Sequence, residues 1–420
     1  MRTRGPLVLL LAVAAVGCHG KDAPRPAPLP TELLTVERKL APIDVSRLST
    51  DLAPTGPTAP PGPYHRLTAE ECHRLACASS SAARLIDVAT ESQPRRLLDG
   101  TPREADELRE AAAVQASREA RLRTAAAALE LYYQLLEAEL LSDVLAESQA
   151  EVDELVRAGQ VAIEEGVPES EQFLTLRRQQ IQLRADRAKL QAGIRRLNTE
   201  LKSLTGLDHL PGSILPADQV TVTPEPLDAE HAVRVGLATR PDLQLIRTLT
   251  AGLNARTVDA VRQAVAGLIP PLAAINTATR VLAPGLRRLI PYLTKPDVQA
   301  MRAQLTTLYA DREREAVRDI RTAVDEWTSQ RELVAIATRR VQLESDRVHE
   351  LTVKREAGMA VEMEYRLSRL ELFKAQADLI REAVKWQRAD VKARQAMGLL
   401  CSGAEACGEV QTPTPRRRSR

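Results

Sequence analysis

Between Glu169 and Thr205 leucine recurs at every seventh position, at Leu176, Leu183, Leu190, Leu197 and Leu204, with Phe173, Ile194 and Leu201 on the adjoining seam. A heptad kept over four repeats predicts a helix wound against a partner helix. The partner precedes it. From Arg103 to Glu165 there is no proline and a single glycine, Gly159, so one helix on the order of 90 Å long is predicted. Gly166-Val167-Pro168 forces a turn between the two arms, and Gly206 ends the return.

The same plan follows a second time. Leu67-Thr-Ala-Glu-Glu-Cys-His-Arg-Leu-Ala-Cys-Ala-Ser79 aligns with Leu227-Asp-Ala-Glu-His-Ala-Val-Arg-Val-Gly-Leu-Ala-Thr239. Gly166 and Gly206 are 40 residues apart, as are Gly358 and Gly398, and Phe173 and Tyr365 fall at equivalent places between them. Each copy opens with a shorter helix. In the first, Thr68 with Glu71 forms a capping box and the helix is expected to run to about Thr90; in the second, Asp228 is the cap and Pro270-Pro271 the break. A proline-free stretch from Asp297 then leads to the turn at Gly358. On the second return arm Leu372, Leu379 and Trp386 line one face, while Leu370, Ala377, Val384 and Val391 line nearly the opposite one. A helix apolar on two sides packs between two neighbours, as in the wall of a bundle or tube. The fold class expected is therefore all-α: two tandem copies, 65–210 and 227–400, of a short helix plus a long antiparallel coiled-coil hairpin, joined by a linker over 211–226. At most a vestigial β segment is expected near 270–285.

The ends change the picture of where the chain works. Arg2 and Arg4, the apolar run Leu7 to Val16 and the small residues Ala15-Val16-Gly17 read as an export signal over 1–17. Cys18 directly after them resembles a bacterial lipoprotein cleavage site, which implies lipidation of Cys18. Ala15 departs from the leucine usual there, and an ordinary signal with a chance cysteine is the alternative. His19, where aspartate would imply inner-membrane retention, favours the outer membrane. Ten of the 26 prolines lie in residues 19–63, so 18–64 is expected to be a tether, and 401–420 is a basic tail.

Composition narrows the function. The balance of 58 basic and 56 acidic residues lacks the basic footprint of a nucleic-acid partner. Export permits disulfides. Cys401 and Cys407 bracket a short loop and could bridge, or one of them could pair with Cys72 or Cys77. Cys72 and Cys77 point about 140° apart on a helix and do not suit each other. Cys72, His73 and Cys77 do not converge on a metal from one helix, so no metal or cofactor is expected. There is no Gly-x-Ser-x-Gly, no phosphate loop and no His-Glu-x-x-His, and the six histidines are scattered. No enzyme is expected.

The paired helix starts at Leu67 and Leu227, the Ala238-Thr-Arg-Pro-Asp-Leu243 segment, the Glu165-Gly166 and Glu356-Ala-Gly358 turns, and the endings Leu204-Thr-Gly-Leu207 and Ala396-Met-Gly-Leu399 together resemble the TolC-type outer-membrane efflux and secretion channel family, over roughly residues 65–400. The resemblance implies a homotrimer whose helical hairpins form a periplasmic tunnel. It also implies a 12-stranded outer-membrane barrel, and hairpin tips (here Gly166, Pro168 and Gly358) that dock to an inner-membrane pump through a periplasmic adaptor. The chain departs from that pattern where the barrel strands belong. A membrane strand needs nine or more alternating residues, and Glu91 to Pro102 has no room for two. In the second copy Leu227 to Gly358 is 131 residues against 99 for Leu67 to Gly166, but the insert, roughly 267–296, carries five prolines. Two readings follow: a lipid-anchored tunnel component of export, or a barrel-less periplasmic coiled-coil scaffold.

Overall fold

The computed structural model describes residues 64–91, 103–222, 225–268, 298–358 and 362–401. In chain order these form β1 (Tyr64–Leu67), α1 (Ala69–Ser79), α2 (Ser81–Glu91), α3 (Arg103–Glu164), α4 (Glu171–Thr205), β2 (Ser213–Pro216), α5 (Ala229–Thr239), α6 (Pro241–Ala251), α7 (Val258–Leu268), α8 (Val298–Glu356) and α9 (Glu362–Ala396), with a short 3-10 turn at Leu399–Cys401. The fold is all-α apart from β1 and β2, which pair in parallel from Tyr64 opposite Ser213 to Leu67 opposite Pro216. The β segment expected near 270–285, the whole of 92–102 and residues 269–296 of the insert lie outside the described residues, as do Cys18, Cys407 and the tether up to residue 63, while Tyr64, expected to end that tether, opens β1.

Thr68 caps α1 with the full reciprocal box: its hydroxyl accepts from the Glu71 amide while the Glu71 carboxylate accepts from the Thr68 amide. The helix does not continue to Thr90 in one piece. It stops at Ser80, whose buried hydroxyl lies 3.0 Å from that of Thr124, and restarts as α2. The second copy breaks at the matching place, Arg240-Pro241, and again after Ala251, so the helix expected from Asp228 is three helices. Pro241 sits in the first turn of α6, where its missing amide hydrogen removes no helical bond.

The long helices form one layer in the order α4, α3, α9, α8. α3 packs on α4 along one side and on α9 along the other, and α9 lies between α3 and α8. This explains its two apolar faces. α1 and α2 extend the α4 row along the rest of α3, and α5 to α7 extend the α9 row along α8, with α6 and α7 also touching α3. The largest core cluster crosses from copy to copy, joining Leu136, Val144 and Val152 of α3 to Phe373, Ile380 and Val384 of α9 and Val334 of α8. Trp327 and Trp386 meet within it, rings 5.5 Å apart.

Candidate functional site

Nothing in the layer resembles a reaction centre; its candidate sites are surfaces. At one end stand the two hairpin turns. Gly166 has φ 95° and Gly358 φ 71°, a left-handed backbone that any side chain would strain, and each ends its outgoing arm there. The Gly166 amide donates to Ile163 and the Val167 amide to Ala162, closing the end of α3. Pro168 is exposed beyond the turn, and Ser170 caps α4 by accepting from the Phe173 amide. Phe173 folds back onto Gly159, where a Cβ would come within 2.5 Å of its ring. In the second hairpin the guanidinium of Arg355 lies 4.1 Å from the Tyr365 ring centre instead. Around both turns apolar side chains face solvent: Val161, Val167 and Leu174 on one, Val353, Met363 and Leu367 on the other.

Along the layer, the seam between the two copies is a ladder of charge. Four positions of α3 spaced by sevens, Glu130, Glu137, Val144 and Glu151, face α9. Glu130 accepts from Nε of Arg388 at 2.6 Å; Glu151 accepts from Arg366 at 3.1 Å and pairs with Arg369. Burial pushes the Glu130 carboxyl up, but the hydrogen bond and charge of Arg388, with Gln134 and Lys392, outweigh it and hold it below the usual range. Glu137, two turns on, goes the other way: burial dominates over Arg388, Arg381 and Lys385, and its carboxyl titrates higher than usual. Glu147 is raised likewise, by burial and Asp143 against Arg369.

At the other end of the hairpins the copies close by similar contacts. Ser79 at the end of α1 donates to the Thr205 carbonyl of α4, and Thr239 at the end of α5 donates to the Met397 carbonyl after α9. The first copy adds a buried node. The Tyr132 hydroxyl lies 3.0 Å from the Leu67 carbonyl and donates to Asp218 at 2.8 Å, tying α3 to β1 and to the segment just after β2. Asp218 also accepts from the Ala69 amide. An open cleft of about 470 Å³ beside the second closure is lined by Glu119, Arg240, Asp319, Glu326 and Lys392, whose charges are mostly paired with one another, without a nucleophile and base in contact. Cys72 is buried near the Ala128 carbonyl, its thiol pushed up to about 12 by burial and then by Asp218, so it is inert. His73 turns instead to the Leu400 carbonyl. Among the described residues no cluster fit for a metal ion occurs, and no helix is long and apolar enough to cross a membrane.

No family model matches the sequence, and no curated protein matches it. Solved structures do share the fold. The Campylobacter jejuni CmeC outer membrane channel matches over 79% of this chain and 85% of its own, with TM-score 0.52 and 10% identity. The open state of the Neisseria gonorrhoeae MtrE outer membrane channel matches over 79% and 88%, with TM-score 0.54 and 12% identity. The outer membrane protein VceC of Vibrio cholerae matches over 79% and 93%, with TM-score 0.50 and 14% identity. The chain has the fold of TolC-type outer-membrane channels.

Proposed function

We propose that the chain is a non-enzymatic tunnel component of outer-membrane efflux or type I secretion, one of three copies whose hairpins close into a helical conduit. Substrate would pass from an inner-membrane pump and periplasmic adaptor docked at the turns around Gly166, Pro168 and Gly358. The carrying observation is the open layer. α4 and α8 end it with apolar side chains exposed on their outer faces, among them Ile181 and Ile336, which a closed ring would cover. The exposed Val161, Val167, Val353 and Met363 at the tips suit an apolar partner surface there. Lipid on Cys18 would hold the assembly to the outer membrane facing the periplasm, and a Cys401–Cys407 bridge would clip the end of the second copy. Deleting the gene should sensitise cells to exported compounds, and the wild-type chain but not Cys18→Ala should restore resistance fully. Unchanged sensitivity to every compound tested would sink the export role.

A second reading, a periplasmic scaffold without a pore, is favoured by one observation: only the eleven residues 92–102 separate α2 from α3, where two membrane strands would have to fit. Purified protein in planar bilayers separates the two. Discrete conductance steps support the tunnel, and silence from a verified trimer supports the scaffold.

A further inference from the structure

The start of the first copy meets the end of the second where α1 touches the turn after α9. His73 of α1 donates from Nε2 to the carbonyl of Leu400, in the 3-10 turn Leu399–Cys401. Cys77, one helical turn further along α1, has its thiol 3.7 Å from the same nitrogen. Cys77 and Leu400 share one buried cluster with Leu122 of α3 and Val391 of α9. Cys77 is 2% exposed and Leu400 6%. The residue that follows Leu400 in the turn is Cys401, so the chain brings its backbone to the same patch of α1.

Two cysteines of α1 compete for that neighbour in sequence, and the packing separates them. The Cys72 thiol lies 3.7 Å from the Ala128 carbonyl. Its cluster, with Leu67, Tyr132 and Leu201, is drawn wholly from the first copy. Cys77 alone of the two is packed with the end of the second copy.

We propose that Cys77 and Cys401 form a disulfide, a covalent clip between the first helix of one copy and the end of the other. The clip rests on the export reading for its oxidising compartment, and it makes Cys407 the transient partner of Cys401 instead of the final one. The Cys401–Cys407 bridge forms first. A disulfide-bearing thiol oxidant takes two electrons and two protons from the pair and leaves as two thiols. The next step moves no net electrons. Cys77 gives up its proton, its sulfur attacks Sγ of Cys401, the bond to Cys407 breaks, and the departing Cys407 thiolate takes up a proton. The fold sets the direction of this exchange. With separations of six and 324 positions, loop closure in an unfolded chain favours the short bridge on the order of 400-fold. Folding reverses that, because the bond from His73 to Leu400 holds the distant ends together. Once made, the clip has the sulfur of Cys77 buried away from solvent thiols.

Peptide mapping of the full-length protein tests the pairing, because trypsin cuts at Arg74, between Cys72 and Cys77. Protein taken from cells, thiol-blocked with a maleimide and digested without reductant, should yield Leu75–Arg84 linked to Gln395–Arg416. Cutting that product at Glu405 should leave Cys401 on the linked part and a blocked Cys407 on the other. Cys72 should be blocked too. Reduced protein reoxidised by glutathione should regain the Cys77 link when folded and form the Cys401–Cys407 bridge in urea. Cys407→Ser should keep the Cys77 link, and Cys77→Ser should move Cys401 onto Cys407. A bridge within Gln395–Arg416 in the folded wild-type chain, Cys72 in place of Cys77, or no link after folded reoxidation overturns the proposal. Thiols all blocked in protein from cells, with the Cys77–Cys401 link appearing on folded reoxidation, upholds the pairing and overturns the export location.

Discussion

α4 and α9 are the same helix written twice, 35 residues each, yet one is covered on one side and the other on two. At matching positions α9 has Arg366, Phe373 and Ile380 against α3, and α4 has Leu174, Ile181 and Ala188 in solvent. On this face the inner helix is therefore fixed by charge at its ends and bulk in its middle, while the outer one presents small and medium aliphatics to solvent. Their α3 and α8 partners differ in step: Glu130, Glu137, Val144 and Glu151 against Thr322, Ser329, Ile336 and Leu343. A contact made once, on folding, can carry buried charge because its partner is always present. A contact between copies must be tolerable while open, and buried charges left without partners there would be costly on closing.

The comparison breaks most easily at Phe373. Phe373→Ala should destabilise the chain by about 3–5 kcal/mol, since it empties the middle of the seam. Ile181→Ala, its counterpart, should change the stability of a single copy by less than about 0.5 kcal/mol. Urea unfolding followed by the fluorescence of the Trp327–Trp386 pair measures both. Equal effects would mean that α4 is already covered within one chain.

Swapping one seam's chemistry into the other sharpens it. Glu151→Leu takes their Glu151 partner across the seam from both Arg366 and Arg369 and should lose about 1.5–3 kcal/mol. Adding Arg366→Leu, which makes the pair the same as Leu343 and Leu174, should recover more than half of that loss. A double variant no better than the single would show that the ion pair, rather than its half-broken state, carries the stability. A smaller contrast lies at Tyr132, whose counterpart Val324 has no hydroxyl. Tyr132→Phe leaves the Asp218 carboxylate and amide short of a bond in a buried node and should lose about 1–2 kcal/mol by the same unfolding assay.

Much of this was legible because it is periodic. The heptad leucines, the capping box at Thr68 and the two faces of α9 each state a packing environment locally. What escaped has no local statement. β1 and β2 are four residues each, contain Arg66 and Pro216, and pair across 149 positions, so neither alternation nor a turn announces them. The break at Ser80 was hidden because serine does not stop a helix by itself; its buried hydroxyl finds Thr124 only in the folded layer. Arg240-Pro241 in the other copy was the available signal, and aligning the copies residue by residue would have transferred it. The asymmetric charge of the seam was invisible for another reason. Glu130 and Glu151 look like any solvated helix carboxylate until α9 is placed beside them.

The smallest predicted effect is also the most specific to the internal seam. Glu137 is held above the ordinary carboxylate range by burial, despite Arg388, Arg381 and Lys385 and with Glu382 adding to the rise. Its ionised form is then less favourable in the folded chain than in the unfolded one. The penalty is full above its raised folded value and vanishes as pH falls through that value toward the ordinary one near 4.3. Glu137→Gln should accordingly stabilise the chain at pH 7 by less than about 1 kcal/mol, with the gain shrinking on acidification. Glu130, seven residues away on the same face and beside the same Arg388, is held low. Glu130→Gln should destabilise at pH 7, and the loss should fade only as pH drops below the ordinary range through the depressed value. The counterparts Ser329 and Thr322 do not titrate, so association of copies should not respond to these two groups. At pH 7 the unfolding curves of the two variants should therefore be displaced from wild type in opposite directions, and between pH 7 and the ordinary carboxylate range only the Glu137→Gln displacement should shrink. If both variants moved the same way, the two carboxylates would share one environment, and the ladder would be a solvated surface row instead of a packed seam.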